Sequence, residues 1–351
     1  MAYNRGVHGT IEIVAFEGRS VDGPAAAALA ELESVIEDET IPGEPPTSVA
    51  ELTERLHHAP FYEDHWCWVA WDDGRQRLLG AGQLIFQRKE DNQHLAYIEL
   101  WVRPHARGAG LGAALLQPLA ERAAAEGRTL LVGAATVGGP GAPVAEHLGA
   151  VATLVEDQNR LPTADVSPAL LDGWIERAPE RATGYSLVAF DERCPDDLID
   201  RYVTVYDVMN GAPRSASVED RISSPEWIRA REESNAANGT RVWTVVARHD
   251  GTGELVGFTE LVFGLHRPWH AWQGNTGVDP AHRDKGLGRW LKAVNLRRLL
   301  AERPDVEVVD TWNADSNEAM LAINRQLGFA RAVSWQEYEM ATDDLQRRLA
   351  R

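Results

Sequence analysis

The chain has 351 residues, 44 % hydrophobic and 25 % charged, with a formal net charge of −18. That length exceeds one ordinary domain and suits two of about 150–175 residues. The acidic balance disfavours nucleic acid, whose phosphates need clustered Lys and Arg. No apolar run approaches the ~18–20 residues that span a bilayer, and the first residues, Met-Ala-Tyr-Asn-Arg-Gly, lack a signal-peptide core.

Alternating residues at 10–16 predict a first strand, and the Ala- and Leu-rich stretch 23–37 predicts a helix ended by Pro42, Pro45 and Pro46. A second helix is expected over 48–58. Strands at 66–71 and 78–87 flank Asp73-Gly74, a hairpin signal. Strand 94–102 feeds a glycine-rich segment, followed by helix 110–126 and strand 129–135. A glycine-rich break at 138–141 precedes a short helix and a strand at 150–155. Residues 156–183 are polar and read as a connection, with one small helix after Ser167-Pro168. The second half repeats the order: strand 185–190, helices 195–209 and 224–235, and strands 241–248 and 254–263 around Asp250-Gly251. Strand 269–278, helix 286–302, strand 306–312, helix 316–327, closing strand 329–339 and a tail helix at 343–349 complete it. The order β-α-α-β-β-β-α-β-α-β, given twice, implies mixed sheets with helices on their faces. The expected division is an N-terminal domain at 1–157, a linker at 158–182 and a C-terminal domain at 183–351.

The string Val-x-Pro-x-x-Arg-x-x-Gly-x-Gly occurs at 102–112 and again at 278–288, an offset of 278 − 102 = 176 residues. The first copy contains Val102, Arg107, Gly108, Ala109, Gly110, Leu111 and Gly112. The second contains Val278, Arg283, Asp284, Lys285, Gly286, Leu287 and Gly288. Each string lies where a strand turns into a helix. A helix N-terminus offers unpaired N–H groups and a partial positive charge, which suit a phosphate. Glycine lets that backbone come close to an anion.

Both strings resemble the coenzyme A pyrophosphate loop of the GNAT superfamily of N-acetyltransferases. Their repetition resembles tandem-GNAT proteins of the mycothiol synthase kind, and the likeness extends over nearly the whole chain. The resemblance implies an α/β fold of two tandem GNAT (acyl-CoA N-acyltransferase) domains, each a mixed, mostly antiparallel sheet flanked by helices. It implies acetyl-CoA as cofactor, held between splayed parallel strands: 94–102 with 129–135, and 269–278 with 306–312. The implied reaction moves an acetyl group to the primary amine of a small molecule. The expected partners are that amine, with neither nucleic acid nor membrane, in a monomer (a pseudo-dimer of domains) or a homodimer. The two cysteines, Cys67 and Cys194, have neither disulfide-framework nor metal-ligand spacing, and a reducing cytoplasm is the expected compartment.

In the second copy, Thr311-Trp312-Asn313, Asn317 and the run Asn-Arg-Gln-Leu-Gly-Phe at 324–329 resemble the closing GNAT motif. That assigns Asn313 and Asn317 to the cofactor, with helix capping as the alternative for both. The first copy has no matching asparagine, and Leu148-Gly149-Ala150 replaces the usual Leu-Gly-Phe. The second domain therefore reads as the catalytic one, and the first as a degenerate partner or a second site.

An amine must lose a proton before attack, and a carboxylate is the usual agent. Glu260 lies mid-strand, with Phe258 and Val262 on the same face. Desolvation there raises a carboxyl pKa; a solvent-facing strand residue is the alternative. Glu99 is the first-half candidate, and the second copy has Asn275 at the equivalent place, so the halves are not chemically equivalent. The tyrosine with which many GNAT enzymes protonate the leaving thiolate is replaced by Asn324 and Ala145. Tyr202 and Tyr206 are the substitutes on offer, with core packing as their alternative role. Phe263, Trp269 and Trp272 line the acceptor pocket or pack the sheet. Two other function classes stay open: a catalytically silent acyl-CoA-binding or regulatory protein, and an aminoacyl transferase of the tandem-GNAT cell-wall type, which the acidic charge disfavours.

Overall fold

The computed structural model describes residues 2–4 and 10–350. Its first-half strands are β1 (Ala2–Asn4), β2 (Thr10–Glu17), β3 (Glu63–Trp71), β4 (Leu78–Gln87), β5 (Leu95–Val102), β6 (Leu130–Thr136) and β7 (Val151–Pro162). The second half adds β8 (Tyr185–Asp191), β9 (Arg241–His249), β10 (Leu255–Phe263), β11 (His270–Val278), β12 (Val308–Ala314) and β13 (Ala330–Ala341). The helices are α1 (Gly23–Thr40), α2 (Val49–His57), α3 (Leu111–Ala125), α4 (Gly141–Leu148), α5 (Pro168–Arg181), α6 (Ile199–Tyr206), α7 (Pro225–Ala237), α8 (Leu287–Glu302), α9 (Glu318–Leu327) and α10 (Thr342–Leu349). From β2 to β7, and again from β8 to β13 with α5 left outside, the order is the one the sequence predicts.

The chain forms two compact units, and each draws on both halves of the sequence. Unit 1 holds residues 1–155, 215–219 and 333–351, and unit 2 holds residues 156–214 and 220–332. In unit 1 the strands run β1-β2-β3-β4-β5-β6-β13, antiparallel except for β5 beside β6. In unit 2 they run β7-β12-β11-β10-β9-β8, antiparallel except for β11 beside β12. The last strand of each sheet is therefore supplied by the other half. The strand expected over 150–155 continues to Pro162, and its extension is the part that enters unit 2. That extension, Glu-Asp-Gln-Asn-Arg at 156–160, reads as linker because it is polar. Yet Gln158 and Asn159 are buried, with Gln158 Nε2 donating to Asp310 at 3.1 Å.

Strands covered on both faces read as continuous apolar runs. In unit 1, Ala70 joins the core under α3 with Leu115 and Leu119. Its neighbour Val69 joins the core under α1 and α2 with Leu29 and Leu52. In unit 2, Leu261 and Phe263 pack under α8, while Val246 and Phe258 pack under α6 and α7.

The parallel pairs stop early. β5 and β6 pair only from Leu95↔Leu130 to Tyr97↔Val132, although they run on to Val102 and Thr136. β11 and β12 pair only from His270↔Val308 to Trp272↔Asp310, although they run on to Val278 and Ala314. Each unit thus carries a cleft between splayed strands, opening toward the loop that leads into α3 or α8.

Candidate active site

The two loops follow the same path. A short 3-10 turn, Pro104–Ala106 or Pro280–His282, leads through Arg107 or Arg283 in extended backbone to a glycine that caps the helix. Gly110 and Gly286 take φ of 84° and 77°, the left-handed region that favours glycine, and neither helix start has a side-chain cap. The first N–H groups of α3 and α8 are left for an outside acceptor. Gly112 and Gly288 differ, because no positive φ holds them. A Cβ at either would sit 3.5 Å from Leu100 Cδ2 or Ile323 Cδ1, an ordinary contact. The fold itself does not demand glycine at either position. Leu111 and Leu287 are buried in the cores under α3 and α8, so only their backbone belongs to the loops. Asp284 is exposed with φ 64°.

The arginines separate the loops. Arg107 Nη1 and Nη2 grip both carboxylate oxygens of Glu39, at 2.7 and 2.5 Å, and hold that carboxyl below the usual range. Arg283 Nε donates to Val278 O at 3.2 Å, but its exposed guanidinium makes no ion pair among the described residues. Among the described residues the second loop thus keeps a cation without an ion pair, whereas the first is neutralised by Glu39.

In unit 2, Asn317 caps α9, its Oδ1 accepting from the Met320 N–H at 3.4 Å. Asn313 is not a cap. It lies on β12 beyond Asp310, in the splayed part, and its Oδ1 accepts from Asn324 Nδ2 at 2.7 Å. Asn324 Oδ1 accepts in turn from Lys292 Nζ at 2.8 Å.

Glu260 is 1 % exposed and is not solvent-facing. Its Oε1 accepts from Arg231 Nη2 at 2.8 Å and Tyr202 OH at 3.0 Å, and its Oε2 from Asn275 Nδ2 at 3.4 Å. Tyr206 OH accepts from Arg231 Nη1 at 3.0 Å and Asn275 Nδ2 at 2.6 Å. A bulge creates this meeting: the register shifts between Thr259↔Thr276 and Leu261↔Gln273, setting Gly274 and Asn275 opposite Glu260. Burial, reinforced by Glu260, pushes the Tyr202 and Tyr206 hydroxyls up, so both keep their protons. Both also pack the core, with the Tyr206 ring stacked on Phe258 at 5.0 Å.

Unit 1 has the acid and the amide exchanged. Gly80↔Val102 and Gly257↔Val278 mark equivalent pairs, which match Gln83 with Glu260 and Glu99 with Asn275. Glu99 pairs with Gln83 across β5 and β4, is exposed, and accepts no side-chain hydrogen bond among the described residues. The surrounding protein pushes its carboxyl up, and the Arg55 guanidinium pulls the other way. Arg55 Nη2 is itself paired with Glu33 at 2.6 Å. Arg55 and Arg231 went unread in the sequence, yet they stand 231 − 55 = 176 residues apart, the offset of the loops. That shared offset was the signal. Of the aromatics, Phe263 is core beside Trp243 at 4.7 Å, while Trp269 and Trp272 flank His270.

A splayed parallel pair running into an uncapped helix N-terminus, present in both units, defines a class of acyl transferase. The Acetyltransferase (GNAT) family matches residues 29–139 and 205–329. The chain belongs to that family and is a tandem GNAT N-acetyltransferase. The mycothiol acetyltransferase of Sanguibacter keddieii is 31 % identical over 252 residues, which cover 68 % of this chain and 72 % of that protein. The tandem GNAT protein from the clavulanic acid biosynthesis pathway is 27 % identical, with a TM-score of 0.78 over 95 % of this chain and 98 % of that one. A GCN5-related N-acetyltransferase from Sphaerobacter thermophilus shares the fold at 16 % identity, with a TM-score of 0.66 over 94 % and 96 %. GNAT acetyltransferases generally use acetyl-CoA. Among the described residues no helix is long and apolar enough to cross a membrane, and no group of His, Cys, Asp and Glu could hold a metal.

Proposed function

We propose that this chain acetylates the primary amine of a small molecule, with acetyl-CoA as donor and unit 2 as the principal cofactor site. The observation that carries the reading is the second loop: Arg283, paired with no carboxylate among the described residues, beside the uncapped start of α8 and the splay of β11 and β12. Backbone N–H groups of Gly286, Leu287 and Gly288 and the side chain of Arg283 would hold the pyrophosphate, with Val278, Asp284 and Lys285 completing the loop. Asn313 and Asn317 would hold the arm. When bound, acetyl-CoA supplies an activated acyl carbonyl and a thiolate leaving group.

Glu260 is the proton acceptor of unit 2 in this reading, at Oε2, the oxygen whose one hydrogen bond is the long contact from Asn275. Tyr202 and Arg231 hold its other oxygen in place. The charge of −18 favours a cationic acceptor by steering. The named activity of the Sanguibacter relative and the named pathway of the clavulanic acid protein support a small-molecule acceptor. Two buried free thiols, Cys67 and Cys194, fit a cytoplasmic setting. One observation favours a second reading, with proton transfer in unit 1: Glu99 is exposed and accepts no side-chain hydrogen bond among the described residues, where Glu260 is enclosed.

Calorimetry of acetyl-CoA against Gly288→Asp and Gly112→Asp tests the cofactor assignment. Both positions have room for a Cβ, so both variants are expected to fold. Gly288→Asp should lose most affinity and Gly112→Asp little; the reverse would move the cofactor to unit 1. Thiol release with small amines, but not with amine-bearing peptides, is expected. Turnover confined to peptides would overturn the acceptor class.

A further inference from the structure

α8 carries a lysine where its counterpart in the first half carries a leucine. Leu116 of α3 and Lys292 of α8 stand 292 − 116 = 176 residues apart, and both are buried, at 3 % and 1 % exposure. One turn on, Leu119 is matched by Asn295. Burying an ammonium is costly unless a partner compensates it. Lys292 has no carboxylate partner among the described residues; its Nζ donates to Asn324 Oδ1 at 2.8 Å. Burial brings the amine down to about 7.

The hydrogen bonds have a direction. In its protonated form Nζ only donates, so Asn324 then turns Oδ1 toward it. Asn324 Nδ2 is then left to donate to Asn313 Oδ1, at 2.7 Å. Asn313 therefore keeps Nδ2 as a donor with no partner among the described residues. Two asparagines alone could sit in either sense, and the protonated lysine removes the choice. Asn313 lies three residues past Asp310, the last residue of β12 paired to β11. Thr311, on the same face, donates to Gln273 O of β11 at 3.1 Å, so this face of β12 borders the cleft.

We infer that Lys292 is a positioning residue for acetyl-CoA in unit 2. It sets the sense of the Asn324–Asn313 pair so that Asn313 offers an N–H donor to an oxygen of the cofactor's arm, an inference resting on the reading that the cofactor occupies the β11/β12 cleft. Unit 1 has no such relay, since Leu116 replaces the lysine and α4 contains no asparagine.

Acetyl-CoA calorimetry and side-chain amide NMR on the full chain test this with Lys292→Met and Asn324→Asp. Lys292→Met should weaken acetyl-CoA about tenfold, the worth of one hydrogen bond, while the acceptor KM stays put. The Asn313 amide signal, which shifts on adding acetyl-CoA to the wild type, should stop responding. In Asn324→Asp the carboxylate satisfies Lys292 but has no N–H for Asn313, so the same losses are expected, and this variant decides if Lys292→Met does not fold. Wild-type affinity and a wild-type amide shift in either folded variant overturn the inference. Binding lost in Gly112→Asp but kept in Gly288→Asp would instead overturn the cofactor reading beneath it.

Discussion

Replacing Lys292 by leucine, the residue at the matching place in α3, should change stability with a sign that depends on pH. An unperturbed lysine titrates near 10.5, and burial holds Lys292 down to about 7. That difference of roughly 3.5 units, at ~1.4 kcal/mol each, is on the order of 5 kcal/mol. Between the two values the unfolded chain binds the proton and the folded chain does not. Wild-type stability therefore rises as pH climbs from about 7 to about 10.5, and the full penalty stands below about 7. Leucine removes that penalty but strands Asn324 Oδ1, at a cost of ~1–3 kcal/mol. Lys292→Leu should be more stable than wild type by about 2–4 kcal/mol near neutral pH, and less stable by ~1–3 kcal/mol near pH 10.5. Denaturant unfolding of both proteins across that range is the assay. A difference that stays the same at every pH would refute the reasoning, because no buried ammonium would then be titrating.

Glu260→Gln should lower kcat/KM by about 10²–10⁴-fold at neutral pH while acetyl-CoA affinity is kept. If Glu99→Gln carries that loss and Glu260→Gln does not, the chemistry belongs to unit 1. The acid limb of the rate profile would then lie above the ordinary glutamate value, because the protein packed around its strand pushes the Glu99 carboxyl up. Arg160→Met leaves buried Asp310 with His270 and Gln158, and should cost about 3–5 kcal/mol in denaturant unfolding. Unchanged stability would show that this clasp on β7 contributes nothing. Burial would raise Asp310, but Arg160 and His270 outweigh it and hold the carboxyl at about 2. Its contribution is present above the ordinary value near 3.8 and is lost as pH falls through about 2, so Asp310→Asn should flatten acid unfolding in that window.

The parts legible in the sequence are those set by neighbours along the chain. Alternation, helical periodicity and Asp-Gly turns yield the element order, and the two Val-x-Pro-x-x-Arg-x-x-Gly-x-Gly strings mark both strand-to-helix loops, because backbone conformation at Gly110 and Gly286 is a local demand. What the sequence left open depends on residues that meet only in the folded chain. Arg107 and Arg283 look alike as text, and only folding puts Glu39, 68 residues away, against the first of them. Glu260 reads as a carboxylate on an apolar strand face until Arg231 and Tyr202 close over it. Lys292 reads as one more charge on a helix, and only the packing of α8 and α9 buries it. The polar run at 156–160 reads as linker because nothing nearby announces Asp310, 150 residues from Arg160. Sequence alone thus determined the tandem fold and where its two loops lie. Tertiary structure decided which loop keeps a free cation, which carboxylate is open, and which half closes each sheet, since burial and charge pairing are properties of what surrounds a residue in space.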